Sequence, residues 1–239
     1  NQPLVDASGR YHIVYNGEVY NFRELREQLL VAGRTFATES DTGVVLNAYA
    51  EWGSDAFGRF NGMFALAIWD ATDRTLVLAR DRFGQKPLYY STRGGGLSFA
   101  SELTALMQDP GIRDGAKLSI AGLNHFFAMG YILAPHTMVA DVCKLEPASY
   151  LVFKDGRIHQ ISRYWEYRDA FARRHAAPVD RIAGELAELL DQAVARRLVS
   201  DVPVGSFLSG GIDSSAVVAF AKKHLPYDLH TFSVGFEAA

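Results

Sequence analysis

The residues best suited to chemistry lie in one short stretch, residues 209–215, with the sequence SGGIDSS. Residues 204–208 before it are typical of a buried strand, and residues 216–221 after it continue into a helix. The glycines free the backbone to curl, so that several N–H groups point at one small volume. Because a helix N-terminus favours anions, the stretch predicts a phosphate site, with Asp213 as a Mg²⁺ ligand.

A ligand-free interpretation of this stretch exists as well. Asp213 or Ser214 could cap a tight strand-to-helix turn with no bound anion. The serines packed around the glycine pair favour the phosphate site over the plain turn. The stretch is not a Walker loop, because no Gly-Lys-Ser/Thr follows it, and it lacks the three-glycine fingerprint of dinucleotide-binding dehydrogenases.

The stretch resembles the pyrophosphate loop of the N-type ATP pyrophosphatases, and in particular that of the glutamine-dependent asparagine synthetases. The resemblance includes the preceding residues 201–205 and extends over essentially the whole chain. It implies ATP and Mg²⁺ as cofactors, with Asp213 holding the metal. It also implies that these residues contact ATP or its pyrophosphate: Leu208, Ser209, Gly210, Gly211, Asp213, Ser214, Ser215 and Val234.

A second motif lies near the start of the chain, at residues 15–21 (YNGEVYN). Local rules alone predict a β-hairpin with a type I′ turn at Asn16-Gly17. The motif also resembles a segment of class II glutamine amidotransferase domains. That resemblance implies that Asn16 and Gly17 form an oxyanion hole and that Glu18 lies in the glutamine pocket. In the same family, the aspartate matching Asp41 holds the α-amino group of glutamine.

The nucleophile is where the sequence departs from the family. Its members use a cysteine at the mature N-terminus, whose own α-amino group is the base. Position 1 here is Asn, and the one cysteine, Cys143, lies in mid-chain and is expected to be a packed small side chain. We therefore expect that roughly fifty residues of the family pattern precede Asn1, and that the chain as given does not hydrolyse glutamine.

Helices and strands alternate in a way that predicts two domains. Strands between helices at residues 10–161 predict sheets buried under helical layers. The resemblance implies an α+β four-layer αββα sandwich of the N-terminal nucleophile hydrolase type, followed by the start of an α/β doubly wound parallel sheet. We expect a glutamine amidotransferase domain at residues 1–168, a linker at 169–179, and a truncated ATP domain at 180–239.

Three packing expectations accompany this fold. Residues 229–234 are predicted to form a buried strand. An ion pair is expected between Asp81 and either Arg80 or Arg82. An apolar stripe on the helix that opens at Asp180 is predicted to pack in the core, and its members are Ile182, Leu186, Leu189, Leu190, Ala193, Val194 and Leu198.

Composition excludes several classes of protein. The chain has 239 residues, 49% of them hydrophobic, and a formal net charge of −3, which gives no reason to expect nucleic acid or an anionic membrane. No apolar run approaches the ~20 residues of a membrane helix, and no signal peptide is recognisable. A single cysteine fits a reducing, cytoplasmic setting. The seven histidines show no metal-ligand spacing, so zinc is not expected.

The function implied by the resemblance is asparagine synthesis. Family members adenylate the side-chain carboxylate of aspartate, release pyrophosphate, and let ammonia from glutamine attack, giving asparagine and AMP. The expected partners are therefore small molecules (glutamine, aspartate and ATP), and a homodimer is left open. Three alternatives also stay open: a β-lactam synthetase-like enzyme, another amidotransferase of cell-surface or secondary metabolism, and a non-catalytic relic scaffold. The acceptor pocket would lie beyond Ala239.

Overall fold

Two units divide the chain, Asn1–Ala170 and Phe171–Ala239. The computed structural model describes residues 2–171, 176–200 and 202–235. Residues 172–175, in the middle of the expected linker, therefore lie outside the described part, as does Asp201. Among the described residues, no helix is both long enough and apolar enough to cross a bilayer.

The first unit is built around two antiparallel sheets. Its strands are β1 (Leu4–Val5), β2 (Tyr11–Val19), β3 (Gly62–Asp70), β4 (Thr75–Arg80), β5 (Tyr89–Ser91), β6 (Ser98–Ala100), β7 (Cys143–Lys144), β8 (Ser149–Lys154) and β9 (Arg157–Arg163). The large sheet has the order β1-β2-β3-β4-β8-β9, and the small sheet has the order β6-β5-β7. The turn sequences at residues 93–96 and 154–156 predict the strand pair β5–β6 and the hairpin β8–β9, and both are present.

Helices cover the outer faces of these sheets. The helices are α1 (Phe22–Val31), α2 (Asp41–Trp52), α3 (Ala56–Arg59), α4 (Leu103–Leu106), α5 (Pro110–Arg113), α6 (Ile120–Met129) and, at the boundary of the units, α7 (Arg168–Phe171). Local signals explain α2, because the Ser40 hydroxyl accepts from the Gly43 N–H at its start and Gly53, with φ +57°, ends it.

Three apolar clusters separate four layers. Ile13, Leu29 and Phe64 belong to the cluster between α1, α2 and the large sheet. Ala67, Leu88 and Leu151 belong to the cluster between the two sheets. Leu106, Ile112 and Val142 form the third, against the helices α4 and α5. Neighbouring residues of β5 face different clusters, as strand alternation requires. The expected αββα sandwich is thus confirmed.

The second unit contains a parallel strand pair with helices. Its elements are α8 (Val179–Arg197), β10 (Gly205–Phe207), α9 (Ile212–His224) and β11 (His230–Phe232). Strands β10 and β11 pair in parallel, with Ser206 opposite Thr231. The chain therefore passes from strand to helix to parallel strand, as predicted for the opening of a doubly wound sheet.

Burial in the second unit is lower than predicted. The stripe on α8 is largely exposed, with Leu186 at 56% and Leu189 at 64% of full exposure, and β11 is exposed along its length. Helix α8 packs against α9, and Asp191 Oδ1 lies 3.1 Å from His224 Nε2. Helix α9 is the element on which α8 packs in the described part of the chain, and one helix is too narrow to cover the whole apolar stripe.

The predicted hairpin at Asn16-Gly17 is wrong. Both residues lie inside the continuous strand β2, with Asn16 opposite Ala65 and Gly17 opposite Phe64 in β3. Pairing with β3 along the whole length of β2 overrides the local turn preference of the Asn-Gly pair.

The sequence predicts Asn21 as the N-cap of the helix that follows β2, with Phe22, Leu25, Leu29 and Leu30 on one face, and the structure differs in two details. Asn21 does not cap α1 through its side chain, because that side chain bonds Arg59 O and the Asn61 N–H instead. Leu25 and Leu29 are buried as predicted, whereas Leu30, assigned to the same face, is 53% exposed. Each residue of a helix is rotated by about 100° from the one before it, so Leu30 points away from the buried face that holds Leu29.

The expected ion pair of Asp81 with an arginine is also absent among the described residues. The buried Asp81 carboxylate accepts hydrogen bonds from four backbone N–H groups instead, at distances of 3.0–3.1 Å. The Arg80 guanidinium donates to three backbone carbonyls, those of Gly84, Lys86 and Leu145. Burial lowers the pKa of Arg80, although the nearby Asp81 charge opposes that shift.

Candidate functional site

Strand β2 carries three of the predicted glutamine-site residues side by side. Asn16 and Glu18 are exposed on one face of the strand, whereas Tyr15 and Val19 are buried on the face toward α1 and α2. This alternation follows from the two-residue period of a strand. Gly17 lies between the two exposed side chains, with its backbone against β3.

Glycine is required at position 17 because β3 approaches the backbone closely. A Cβ added to Gly17 would fall against the Met63 carbonyl oxygen and lie 2.6 Å from Phe64 Cα. The reciprocal contact occurs at Gly62, whose added Cβ would fall against the Glu18 carbonyl oxygen. Two glycines on neighbouring strands thus keep this part of β2 in place.

The Gln2 side chain fixes the backbone of Tyr15. Gln2 Nε2 donates to the Tyr15 carbonyl and Gln2 Oε1 accepts from the Tyr15 N–H, each at 2.8 Å. Strand β1 pairs with β2 at Leu4–Val5, so Gln2 continues the same register through its side-chain amide. Both backbone polar groups of Tyr15, the residue before Asn16, are therefore bound by one side chain.

Asn16 is held from the opposite sheet. Its Nδ2 donates a 2.9 Å hydrogen bond to Ser101 Oγ, just beyond β6. Both residues line a cavity of about 170 Å³, whose other walls include Ala65, Leu88 and Phe99. One N–H of the Asn16 amide is engaged by Ser101, and the second is available to a ligand.

Asp41 reaches β2 from the first residue of α2. Its Oδ2 accepts from the Tyr15 hydroxyl at 2.8 Å and from the Val19 N–H at 3.0 Å. The carboxylate therefore lies one residue beyond Glu18 along the strand. Burial, followed by the Asp41 charge, raises the pKa of Tyr15 well above its ordinary value, so its hydroxyl stays protonated and donates.

The Asp81 carboxylate supports the strand opposite Gly17. One of its four backbone donors is the N–H of Phe64, the residue that pairs with Gly17. The Asp81 N–H donates in turn to the Phe64 carbonyl at 2.9 Å. A fully buried carboxylate with four donors thus sets the position of β3 next to the candidate site.

The phosphate-loop residues lie between β10 and α9. Gly210 has φ +79° and makes the turn, and Gly211 precedes Ile212, the first residue of α9. Leu208 and Val234 follow the carboxyl ends of the parallel strands β10 and β11, which is the edge where ligands bind in open α/β sheets. Ser233 Oγ donates to the Leu208 carbonyl at 2.5 Å and links these two chain segments.

The N–H groups of this loop are mostly open. Ser209 N donates to Ser214 Oγ at 3.3 Å, and Ser214 Oγ donates to the Gly211 carbonyl at 3.1 Å. Within the described residues, the N–H groups of Gly210 and Gly211 have no acceptor, and no side chain caps α9. Neither Asp213 nor Ser214 therefore caps α9, and the one backbone N–H that Ser214 accepts from is that of Ser209, ahead of the helix.

Asp213 could supply one carboxylate to a metal ion. It lies in the first turn of α9, exposed, and it makes no hydrogen bond or ion pair within the described part of the chain. The described residues contain no group of three or more potential metal-binding side chains. One carboxylate fits a Mg²⁺ that takes its remaining ligands from nucleotide phosphates and water.

Cys143 packs as predicted. Its half-buried thiol lies against the cluster between the two sheets. Burial raises the pKa of the thiol, which lowers its thiolate fraction and its reactivity.

Three residues that sequence reasoning missed hold this site together: Gln2, Ser101 and the Tyr15 hydroxyl. Each lies far in sequence from the residue it contacts: Gln2 is 13 residues from Tyr15, Tyr15 is 26 from Asp41, and Ser101 is 85 from Asn16. The period of β2 predicts that Tyr15 faces inward, but no local pattern identifies its partner.

The first unit has the fold of a glutamine amidotransferase domain. The chain belongs to the glutamine amidotransferase domain family, whose family model matches residues 1–165. A second family model, described as asparagine synthase, matches residues 185–239. Both matches are consistent with the resemblance deduced from the motifs.

Named relatives and a solved structure resemble the chain over most of its length. Asparagine synthetase [glutamine-hydrolyzing] 3 of Bacillus subtilis is 40% identical over 95% of the chain and 37% of its own length. Amidase chry2 of Gibberella zeae is 33% identical over 91% of the chain and 31% of its own length. A Bacillus subtilis glutamine phosphoribosylpyrophosphate amidotransferase aligns at TM-score 0.49 and 20% identity, covering 95% of this chain and 48% of that one. The chain thus spans about a third of the length of these two named relatives.

Proposed function

We propose that this chain is part of a glutamine-hydrolysing asparagine synthetase. The observation that carries the proposal is the order of its two sites, an amidotransferase site on β2 followed by an open phosphate loop before α9. Identity of 40% to a synthetase of that name across both units supports it. In this proposal residues 1–168 are the glutaminase domain, 169–179 the linker and 180–239 the beginning of the ATP domain.

The glutaminase half would stabilise the oxyanion of glutamine hydrolysis. A tetrahedral intermediate needs preorganised donors, and the second N–H of the Asn16 amide and the Gly17 N–H have that role in the proposal. Glu18 and Asp41 would contact the amino-acid part of glutamine. Cys143 packs half-buried against the cluster between the sheets, in mid-chain, and would not serve as nucleophile, so in this proposal the nucleophile is not among these 239 residues.

The loop half would bind the pyrophosphate part of ATP. The open N–H groups of Gly210 and Gly211 at the start of α9, with the hydroxyls of Ser209 and Ser215, suit phosphate oxygens. Leu208 and Val234, at the ends of parallel strands, would contact the adenosine. Asp213 would hold Mg²⁺, whose charge offsets that of the leaving pyrophosphate.

Pyrophosphate release by the complete protein tests the proposal. ATP is supplied with glutamine and with each amino acid in turn, and release with aspartate is expected, together with formation of asparagine. Release with a different acceptor would identify another amidotransferase of the same superfamily. Failure to release pyrophosphate with any acceptor would favour the non-catalytic scaffold and overturn the proposal.

A further inference from the structure

The Tyr15 hydroxyl and the Asp41 carboxylate form a buried contact at the glutamine site. Tyr15 is 7% exposed and its hydroxyl lies 2.8 Å from Asp41 Oδ2. The same oxygen accepts from the Val19 N–H at 3.0 Å. The Tyr15 hydroxyl and the Val19 N–H, from residues four apart in β2, therefore donate to the same carboxylate oxygen.

The two oxygens of Asp41 have different surroundings. Oδ2 is engaged by both strand donors, whereas Oδ1 accepts one long contact, from Thr42 Oγ1 at 3.4 Å. The Asp41 residue is half-buried, so it keeps contact with solvent. The carboxylate is thus fixed through one oxygen, and the other oxygen is left for a cationic ligand.

The tyrosine can act only as a donor toward Asp41. Burial and the Asp41 charge keep its phenol protonated throughout the working pH range. A carboxylate that accepts from a buried hydroxyl and a backbone N–H is restrained in its rotation. A restrained acceptor binds an ammonium group with a smaller loss of entropy than a mobile one does.

We infer that Tyr15 is a positioning residue, which orients the Asp41 carboxylate to receive the α-ammonium group of glutamine. The inference rests on the proposed function, because it takes glutamine as the ligand. It assigns to the tyrosine of the YNGEVYN motif a role distinct from that of its neighbour Asn16. Tyr15 would act on amino-group recognition, and Asn16 on the oxyanion.

Replacing Tyr15 by Phe in the complete protein tests this role. We expect the KM for glutamine to rise about tenfold, the scale of one hydrogen bond to a charged group, while kcat changes less than about twofold. The affinity for 4-carbamoylbutanoate, which is glutamine without its amino group, should not change. A loss caused only by a disturbed fold would weaken both compounds.

Tyr164→Phe is the matched control. Its hydroxyl also makes one hydrogen bond from a largely buried position, to the Arg80 carbonyl at 2.7 Å, and its partner belongs to no proposed site. This variant should lose comparable thermal stability while its KM for glutamine stays unchanged.

A third variant, Asp41→Asn, separates failure of the inference from failure of the proposed function. If Asp41→Asn raises the KM for glutamine and Tyr15→Phe does not, only the positioning role is overturned. Equal weakening of glutamine and 4-carbamoylbutanoate by Tyr15→Phe would overturn it as well. If Asp41→Asn leaves the KM for glutamine unchanged, the amine site of the proposed function is wrong, and the role of Tyr15 falls with it.

Discussion

The side-chain amide of Asn16 donates to the hydroxyl of Ser101, and this 2.9 Å hydrogen bond joins the large sheet to the small one. Asn16 lies in the middle of β2, and Ser101 directly follows β6. With the amide nitrogen turned toward Ser101, one of its two N–H groups is used and the planar amide sets the direction of the other. The free N–H then has a fixed direction, as preorganised donors require.

Removing this amide should impair glutamine hydrolysis selectively. In the complete protein, Asn16→Ala is expected to reduce the rate of glutamine hydrolysis by roughly 10²–10³-fold, the usual effect of losing one oxyanion donor. Synthesis with ammonia as the nitrogen source should continue. Glutamate production and ammonia-dependent product formation are measured side by side, with the exposed Asn124→Ala on α6 as control. A decrease of less than threefold in hydrolysis would contradict the oxyanion role.

Changing Asp213 should have the converse effect. We expect Asp213→Ala in the complete protein to abolish pyrophosphate release from ATP, because the carboxylate offered to Mg²⁺ is lost, while glutamine hydrolysis largely survives. Asp228→Ala removes another exposed carboxylate of the same unit, one that pairs with Lys222, and should leave both activities intact. Unchanged pyrophosphate release by Asp213→Ala would show that the loop has a different role.

A methyl group at position 17 should destabilise the first unit. Gly17→Ala would place a Cβ against the Met63 carbonyl, and overpacking of this kind costs about 1–3 kcal/mol or more of unfolding free energy. Gly58→Ala, in α3, meets no atom within 4 Å and should leave the stability unchanged or slightly raised. Thermal unfolding of the two variants in parallel measures the difference. Equal melting temperatures would show that β2 and β3 can separate at no cost.

The Arg10–Asp70 pair predicts a pH-dependent contribution to stability. Arg10 donates to both oxygens of Asp70, at 2.9 and 2.7 Å, and these bonds lower the pKa of Asp70 below its ordinary value. A lowered carboxyl pKa stabilises the fold above the unfolded value of about 4, and this stability is lost as the pH falls through the folded value.

The variant Asp70→Asn tests that contribution. At pH 7 it should lower the free energy of unfolding by about 1 kcal/mol, since Arg10 is partly exposed and solvent screens the pair. The gap between wild type and variant should narrow below about pH 4 as the wild-type carboxyl becomes protonated. Denaturant titrations at pH 7 and pH 3 give the comparison, and a gap of constant size would contradict the assignment.

Local signals in the sequence predicted most elements of the first unit. Ser40 is a typical N-cap and Gly53 a typical stop for α2, and the continuous apolar run at residues 63–69 predicts a strand covered on both faces, which β3 is over most of its length. The hairpin predicted from the Asn-Gly pair was wrong because the turn preference is local, whereas the residues that pair with Asn16 and Gly17 lie about 50 positions further along the chain. The prediction that Asp81 pairs with Arg80 or Arg82 was wrong. Consecutive residues at the end of a strand point in opposite directions, so the side chain of Asp81 is directed away from those of its neighbours.

The candidate sites differ in how far sequence alone could predict them. The predicted phosphate loop is a contiguous stretch, so the sequence alone indicates its glycines, serines and aspartate. In the predicted glutamine site, the motif resemblance indicates Asn16, Gly17, Glu18 and Asp41, but it does not indicate the groups that hold them. Contacts such as Tyr15 with Asp41 depend on how α2 packs on β2, which no periodicity encodes.

The amide of Gln2 has a consequence for how this protein meets other chains. By taking both peptide groups of Tyr15, it occupies positions where a foreign extended segment would otherwise add to the sheet. A single side chain therefore keeps a foreign strand from pairing with β2 at Tyr15.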